Sequence, residues 1–353
     1  MKTSAAKLAV IITAYKRQQY LLNAVKSVLN QTMKRDEYEV VVIKGFKNDS
    51  IESKLASLSI PTWFDDSPGV GAQILLGTEQ TSAPIIVFLD DDDEFAPGKL
   101  SAVCREFQES PGAVYYHNSA TVIDEFGRLR GLNQRGKPSV VQRQNRETQI
   151  LSIVDAREVQ RYIKDTSAAH FSSCIAVPRS IILQYRYFIS RLGTSATDVA
   201  FFATALRARG KVILDERPLT RYRVHSSNIT RVPNPFSASY RPSELSLVKN
   251  ELMGWSMIAD FLEEGEVPAL ARPFRLVAEM HRVQLALLMR NQSRRMYLRQ
   301  AERLRDLMKS LDSRWGIPSL ALALTAVVLP SIALAAIRLM DTAYVYWPSS
   351  LHE

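Results

Sequence analysis

Three apolar runs near the start of the chain, at residues 8–14, 40–43 and 85–89, constrain the fold more than any other feature. Each is too short for a core helix and rich in β-branched or large aliphatic residues, which predicts buried strands. Between them Leu21, Leu22, Val25, Val28 and Leu29 recur at helical spacing, and residues 70–81 also read as a helix. Strands apolar on both faces and alternating with helices predict an α/β, Rossmann-like, mostly parallel sheet flanked by helices. Such sheets bind ligands beyond the carboxyl ends of their strands, so the residues following each run carry the chemistry.

The third run leads directly into Asp90-Asp91-Asp92-Asp93-Glu94. Like charges packed this closely raise one another's pKa unless a cation neutralises them. Carboxylate oxygens suit Mg²⁺ or Mn²⁺. The alternating acidic spacing and central glycine of a calcium loop are missing, which excludes an EF-hand. The two cysteines, Cys104 and Cys174, form no CxxC pair, so a disulfide scaffold and a Cys-rich zinc site are also excluded.

These residues resemble glycosyltransferase family 2, with the GT-A fold. Val10-Ile11-Ile12-Thr13-Ala14-Tyr15-Lys16-Arg17 is similar to the family's opening strand and turn, and residues 20–31 to the helix that follows. Phe88-Leu89-Asp90-Asp91-Asp92-Asp93 with Pro97, Lys99 and Leu100 resembles its Asp-x-Asp metal motif. The likeness covers about residues 8–230. It implies a hexosyl-transfer enzyme that takes a sugar from a nucleoside-diphosphate donor and inverts the anomeric centre in one displacement. A Mg²⁺ or Mn²⁺ ion held by Asp90, Asp92 and Asp93 would neutralise the leaving diphosphate. The resemblance places Thr13, Ala14, Tyr15, Arg17, Lys44, Asp90 and Asp91 at the donor, with Tyr15 packing on the base.

An acid at the start of a later helix is the family's general base. Thr197-Asp198-Val199 fits that place, which makes Asp198 the catalytic candidate; a first-turn acid favoured by the helix dipole is the plain alternative. Arg221-Tyr222-Arg223-Val224-His225-Ser226-Ser227-Asn228 resembles the basic segment that closes over the diphosphate, with Arg221 and Arg223 as phosphate ligands and His225 as a further metal ligand. One departure stands out. The family's second strand ends in an acidic pair that meets the base, whereas here Lys44 and Gly45 occupy those positions. A catalytically degenerate scaffold that binds nucleotide sugar is therefore a second reading. A sugar nucleotidyltransferase is a third, opposed by the lack of glycine in Ala14-Tyr15-Lys16-Arg17. Asp65-Asp66-Ser67-Pro68-Gly69-Val70-Gly71 reads as a turn, with Ser67 as helix cap and glycines that admit a nucleotide or sugar. Ser172 and Ser173 fall where the family meets its acceptor.

Three segments follow from the pattern: a catalytic domain at 1–232, a basic helical extension at 233–314, and an apolar membrane segment with a short tail at 315–353. Charge supports the division. The net is −1 over residues 1–139 and +10 over 140–353. Residues 317–337 carry no formal charge, a length able to span about 30 Å of hydrocarbon. They are bracketed by Trp315 and Trp347. Eight upstream cations between Arg290 and Arg314, against Arg338 downstream, orient the large N-terminal part to the cytoplasm. No signal-peptide pattern is present. The expected setting is the cell membrane, with contact through residues 315–340 and a lipid-linked or glycan acceptor. No nucleic-acid motif accompanies the basic charge.

Overall fold

The computed structural model describes residues 6–15, 17–130, 140–141, 148–164, 167–193, 195–225, 240–289, 293–312 and 316–328, with 332, 333 and 336. The chain divides into two compact units, 1–225 and 226–353. The boundary expected at residue 232 lies outside the described residues, as do Lys16, Ser226 to Asn228, Arg290, Arg314, Trp315, Arg338 and Trp347.

The first unit runs β1 (Leu8–Ala14), α1 (Gln18–Leu29), β2 (Tyr38–Lys44), α2 (Asp49–Ser57), β3 (Thr62–Phe64), α3 (Val70–Glu79), β4 (Ile85–Asp90), β5 (Glu94–Phe95), α4 (Lys99–Glu109), β6 (Ala113–Ile123), β7 (Val140–Val141), β8 (Gln149–Leu151), α5 (Ala156–Lys164), β9 (Ile175–Pro178), α6 (Arg179–Gln184), α7 (Arg186–Ser190), α8 (Thr197–Ala208) and β10 (Lys211–Arg223). All the strands belong to one sheet, ordered β3-β2-β1-β4-β9-β6-β10-β5, with β7 on β6 and β8 on β10.

The apolar runs form strands because both sheet faces are covered. Leu8, Val10 and Ile12 share a buried cluster with Leu21, Ala24, Val25 and Val28 of α1. Ile11 points to the opposite face, where a Cβ on Gly77 of α3 would come within 2.7 Å of it. The register aligns the strand ends: Ala14 pairs with Lys44 and Thr13 with Asp90. The carboxyl ends of β1, β2 and β4 therefore form one edge, and the acidic loop leaves from it.

The sheet is mixed rather than mostly parallel. β3, β2, β1 and β4 are parallel neighbours, but β9 lies antiparallel between β4 and β6. The reason is the direction of approach. A single 3₁₀ turn at Ser172–Cys174 sits at the carboxyl edge, so the chain entering β9 descends from there against β4. An apolar run carries no information about strand direction.

The second unit comprises α9 (Tyr240–Glu264), α10 (Pro268–Met289), α11 (Arg294–Leu311) and α12 (Ile317–Val328). Leu276, Val283 and Leu287 of α10 are buried, as their helical spacing requires. Trp255 of α9 meets Phe274 of α10 at 6.0 Å between ring centres, and Tyr297 of α11 donates to the Ala286 carbonyl at 3.2 Å. α12 packs on α10 and α11. Among the described residues no helix is long and apolar enough to cross a membrane.

Candidate active site

The acidic residues sit where β4 ends. Asp91, Asp92 and Asp93 are buried and Asp90 is half-buried. Asp90, Asp92 and Asp93 each offer a carboxylate oxygen within 4.8 Å of the others. Asp91 turns away from this triad: its Oδ2 accepts from the Tyr15 amide at 3.1 Å and its Oδ1 lies 2.7 Å from Arg17 Nε. Arg17 also contacts Asp92 Oδ2 through Nη1. His225 Nε2 lies 3.0 Å from that same oxygen, with its ring on Tyr20.

Burial pushes Asp91 up to about 6, with Arg17 working against it. Burial, then the charge of Asp92, raises Asp90, to which Asp198 adds its charge. Burial, then Asp92 and Asp90, raises Asp93 well above the carboxylate range. The internal cations thus compensate the cluster incompletely. Hard oxygen donors with excess negative charge fit a divalent cation such as Mg²⁺ or Mn²⁺. Asp90 and Asp92 are placed to hold it. Asp93 is tied more firmly into the protein, since its Oδ1 accepts from the Arg223 amide at 2.9 Å.

Two serines clamp Asp90. Ser172 Oγ donates to its Oδ2 at 2.6 Å, and Ser173 Oγ accepts from its amide at 3.0 Å. Beneath them Lys99 is wholly buried, with its ammonium on the Ser173 carbonyl and on Thr220 Oγ1 at 2.9 Å. Burial lowers it to about 7. A lysine in a helical pattern reads as a solvated side chain, so the sequence marks this one only as part of a motif.

Asp198 stands in the first turn of α8. Its Oδ2 accepts from the Phe171 amide at 2.8 Å and its Oδ1 from the Val199 amide at 2.9 Å. Phe171, at φ 64°, and Ala196, at φ 59°, both adopt the left-handed backbone on either side of this contact. Non-glycine residues are strained there, and such strain concentrates at functional sites. The Phe171 ring meets Tyr222 edge-on at 4.7 Å. Nothing in the residue pattern signals either conformation.

Several residues expected at the donor are placed otherwise. Arg223 is completely buried. Its Nε donates to the Asp92 carbonyl at 2.7 Å, its Nη1 to the carbonyls of Asp124 and Glu125, and its Nη2 pairs with Glu94. It is a strut under the acidic loop and has no open face for a phosphate. Arg221 is half-exposed, 3.7 Å from Glu94. It lines a cleft of about 360 Å³ with Asn23, Lys26, Asn30 and Phe126, and none of Asp90 to Asp93 borders that cleft. Lys44 is buried, with its ammonium on Glu52 at 2.7 Å and on the Phe46 carbonyl at 2.9 Å, so it is not directed at a diphosphate. Tyr15 is 40% exposed at the functional edge, next to Gly45, where a Cβ would come within 3.3 Å of its ring. Thr13 and Ala14 form the edge itself. The loop glycines serve packing: a Cβ on Gly69 would meet the Leu192 carbonyl at 2.3 Å, and one on Gly71 the Ile189 carbonyl at 1.9 Å. Gly69, not Ser67, occupies the cap of α3.

The fold is that of known glycosyltransferases. The chain superposes on Staphylococcus aureus TarS 1-349, crystallised in complex with UDP-GlcNAc, with a TM-score of 0.54 and 12% identity, covering 96% of this chain and 91% of that one. It superposes on the mannosyltransferase PcManGT from Pyrobaculum calidifontis, in complex with GDP-Man and Mn²⁺, with a TM-score of 0.51 and 13% identity over 98% and 89% of the two chains. An uncharacterised glycosyltransferase of Rickettsia bellii is 32% identical over 36% of this chain and 19% of its own length. A Campylobacter jejuni GalNAc(5)-diNAcBac-PP-undecaprenol beta-1,3-glucosyltransferase is 30% identical over 31% of this chain. The match spans only 37% of that relative's length. Residues 9–183 match the model of glycosyl transferase family 2, and the acidic edge of the sheet lies within that matched stretch.

Proposed function

We propose that this chain is a metal-dependent, inverting glycosyltransferase. It moves a sugar from a nucleoside-diphosphate donor to a lipid-linked or glycan acceptor at the cytoplasmic face of the membrane. The observation that carries the reading is the Asp90–Asp92–Asp93 triad at the carboxyl edge, clamped by Ser172 and Ser173. The nucleotide sugars named with TarS and PcManGT support the donor class, and the Mn²⁺ of the latter supports the metal. The polyprenyl-diphosphate acceptor in the name of the Campylobacter relative supports a lipid-linked acceptor.

A divalent cation held by Asp90 and Asp92, with Asp93 and His225 beside them, would neutralise charge developing on the leaving diphosphate. The remaining work falls to the chain's own groups. Asp198 is held by two amides, which fix its carboxylate while leaving lone pairs to accept a proton. In a single displacement the acceptor oxygen bonds to the anomeric carbon as the bond to the diphosphate oxygen breaks. The acceptor proton passes to Asp198. Tyr15 offers an aromatic surface for the base at the edge of the sheet.

Isothermal titration with UDP and GDP, each with and without Mn²⁺, tests the reading alongside Asp92→Ala. Metal-dependent binding of one nucleotide, lost in the variant, is the expected result. A folded protein that binds neither would overturn the nucleoside-diphosphate donor, and metal-dependent binding without donor hydrolysis would favour the degenerate-scaffold reading.

A further inference from the structure

α12 is built inside out for a helix of a water-soluble bundle. Its buried positions are small, Ala323 and Ala326, while Ile317, Leu324 and Val328 are 47%, 49% and 68% exposed. With Ala321, also exposed, these recur at i, i+4, i+7 and i+11, which is one face of a helix. No residue of α12 is charged. The helix it packs against has the opposite character. On α11 the exposed residues Arg294, Leu298, Arg305 and Lys309 recur at i, i+4, i+11 and i+15, again one narrow face, with Leu298 45% exposed among three cations. Arg305 makes a surface pair with Asp306 at 3.2 Å, of the kind that holds a side chain weakly.

An exposed apolar stripe on one helix and an exposed cationic stripe on the helix packed against it are the two elements of a lipid-interface surface, alkyl groups for the acyl boundary and Lys or Arg for the headgroups. We propose that the second unit docks on an anionic lipid bilayer through the Ile317, Leu324 and Val328 face of α12 and the Arg294, Arg305 and Lys309 face of α11. The proposal rests on the membrane-face reading above and names the partner: a surface rich in acidic phospholipid. Charge complementarity selects this occupant over a second copy of the chain, whose α11 face would present the same positive charge.

The test is co-flotation of the full chain with vesicles of phosphatidylglycerol and phosphatidylcholine, against vesicles of phosphatidylcholine alone, in the absence of any donor. Binding is expected to the anionic vesicles only and to weaken as salt rises. The triple variant Arg294→Gln, Arg305→Gln, Lys309→Gln loses about a hundredfold in affinity. Leu324→Ser with Val328→Ser loses about tenfold or more. All five side chains are exposed, and circular dichroism confirms that the variants fold. Equal binding to both vesicles, unchanged binding in both variants, or self-association abolished by the α12 variant without vesicle binding would each overturn the proposal. The nucleotide titration is made without lipid, so a failure of docking and a failure of the transferase reading are separate results.

Discussion

Two arginines reach the acidic loop from opposite sides, and they do different work. Arg17 comes from the turn after β1 and places its guanidinium on the carboxylates of Asp91 and Asp92, with 15% of its side chain exposed. Arg223 comes from the end of β10, is fully buried, and gives its donors chiefly to main-chain carbonyls and to Glu94. A cation on carboxylates balances charge, and another cation can share that duty. A cation on carbonyls fixes the path of the chain, and its planar fork has no substitute.

The contrast is broken or upheld most directly at Arg223. Arg223→Ala removes the buried donors to Glu94 and to three carbonyls and is expected to cost about 3–5 kcal/mol in urea unfolding. Arg223→Lys should recover little of it. A loss under about 1 kcal/mol would mean that the strut is dispensable and the two arginines are alike. Arg17→Ala is expected to keep the fold and to enlarge the rise in melting temperature on adding Mn²⁺, because the carboxylates lose their resident counter-charge. An unchanged or smaller metal response would place Arg17 on the structural side of the comparison.

Acidity gives a finer probe of the Arg17 side. Asp91 titrates near 6 in the folded chain against 3.8 unfolded, because burial outweighs Arg17. Between those values the folded state holds a proton that the unfolded state has released, so this group's contribution to stability falls as pH rises from about 4 to 6 and is level above. Melting in EDTA should fall by a few degrees across that window, and Asp91→Asn should flatten this part of the curve. An identical profile in the variant would show that Arg17 neutralises Asp91 fully. The smallest effect is expected at Lys44. With its ammonium held by Glu52 and the Phe46 carbonyl, Lys44→Ala should change nucleotide affinity by less than about threefold. A larger loss would show that the ion pair opens to the ligand.

How much of this was readable in the chain follows from whether each signal is local. The runs at 8–14, 40–43 and 85–89 lie next to the turns they feed, so their strands, the edge they share and the acidic loop follow from adjacent residues. The resemblance of residues 221–228 to a diphosphate-closing segment makes Arg223 a phosphate ligand, yet the side on which a strand residue falls depends on β6 and β5, which lie about a hundred positions earlier. Gly69 and Gly71 read equally well as ligand contacts until Leu192 and Ile189 are seen above them. Lys99 gives no hint of burial, because its partners Ser173 and Thr220 are distant in sequence.

The antiparallel insertion of β9 also sets an order of assembly. β4 ends at Asp90, and the strand that covers its open edge begins at Ile175, about 85 residues later. β10, which completes the site, ends at Arg223. During synthesis the first four strands can pair among themselves while β4 keeps an uncovered apolar edge, a template for the wrong partner. The carboxylates sit at the end of that edge, so the chemistry and the last closure of the sheet arrive together. A nascent chain halted before the turn at Ser172–Cys174 would carry every acidic residue of the triad and neither of the serines that aim Asp90.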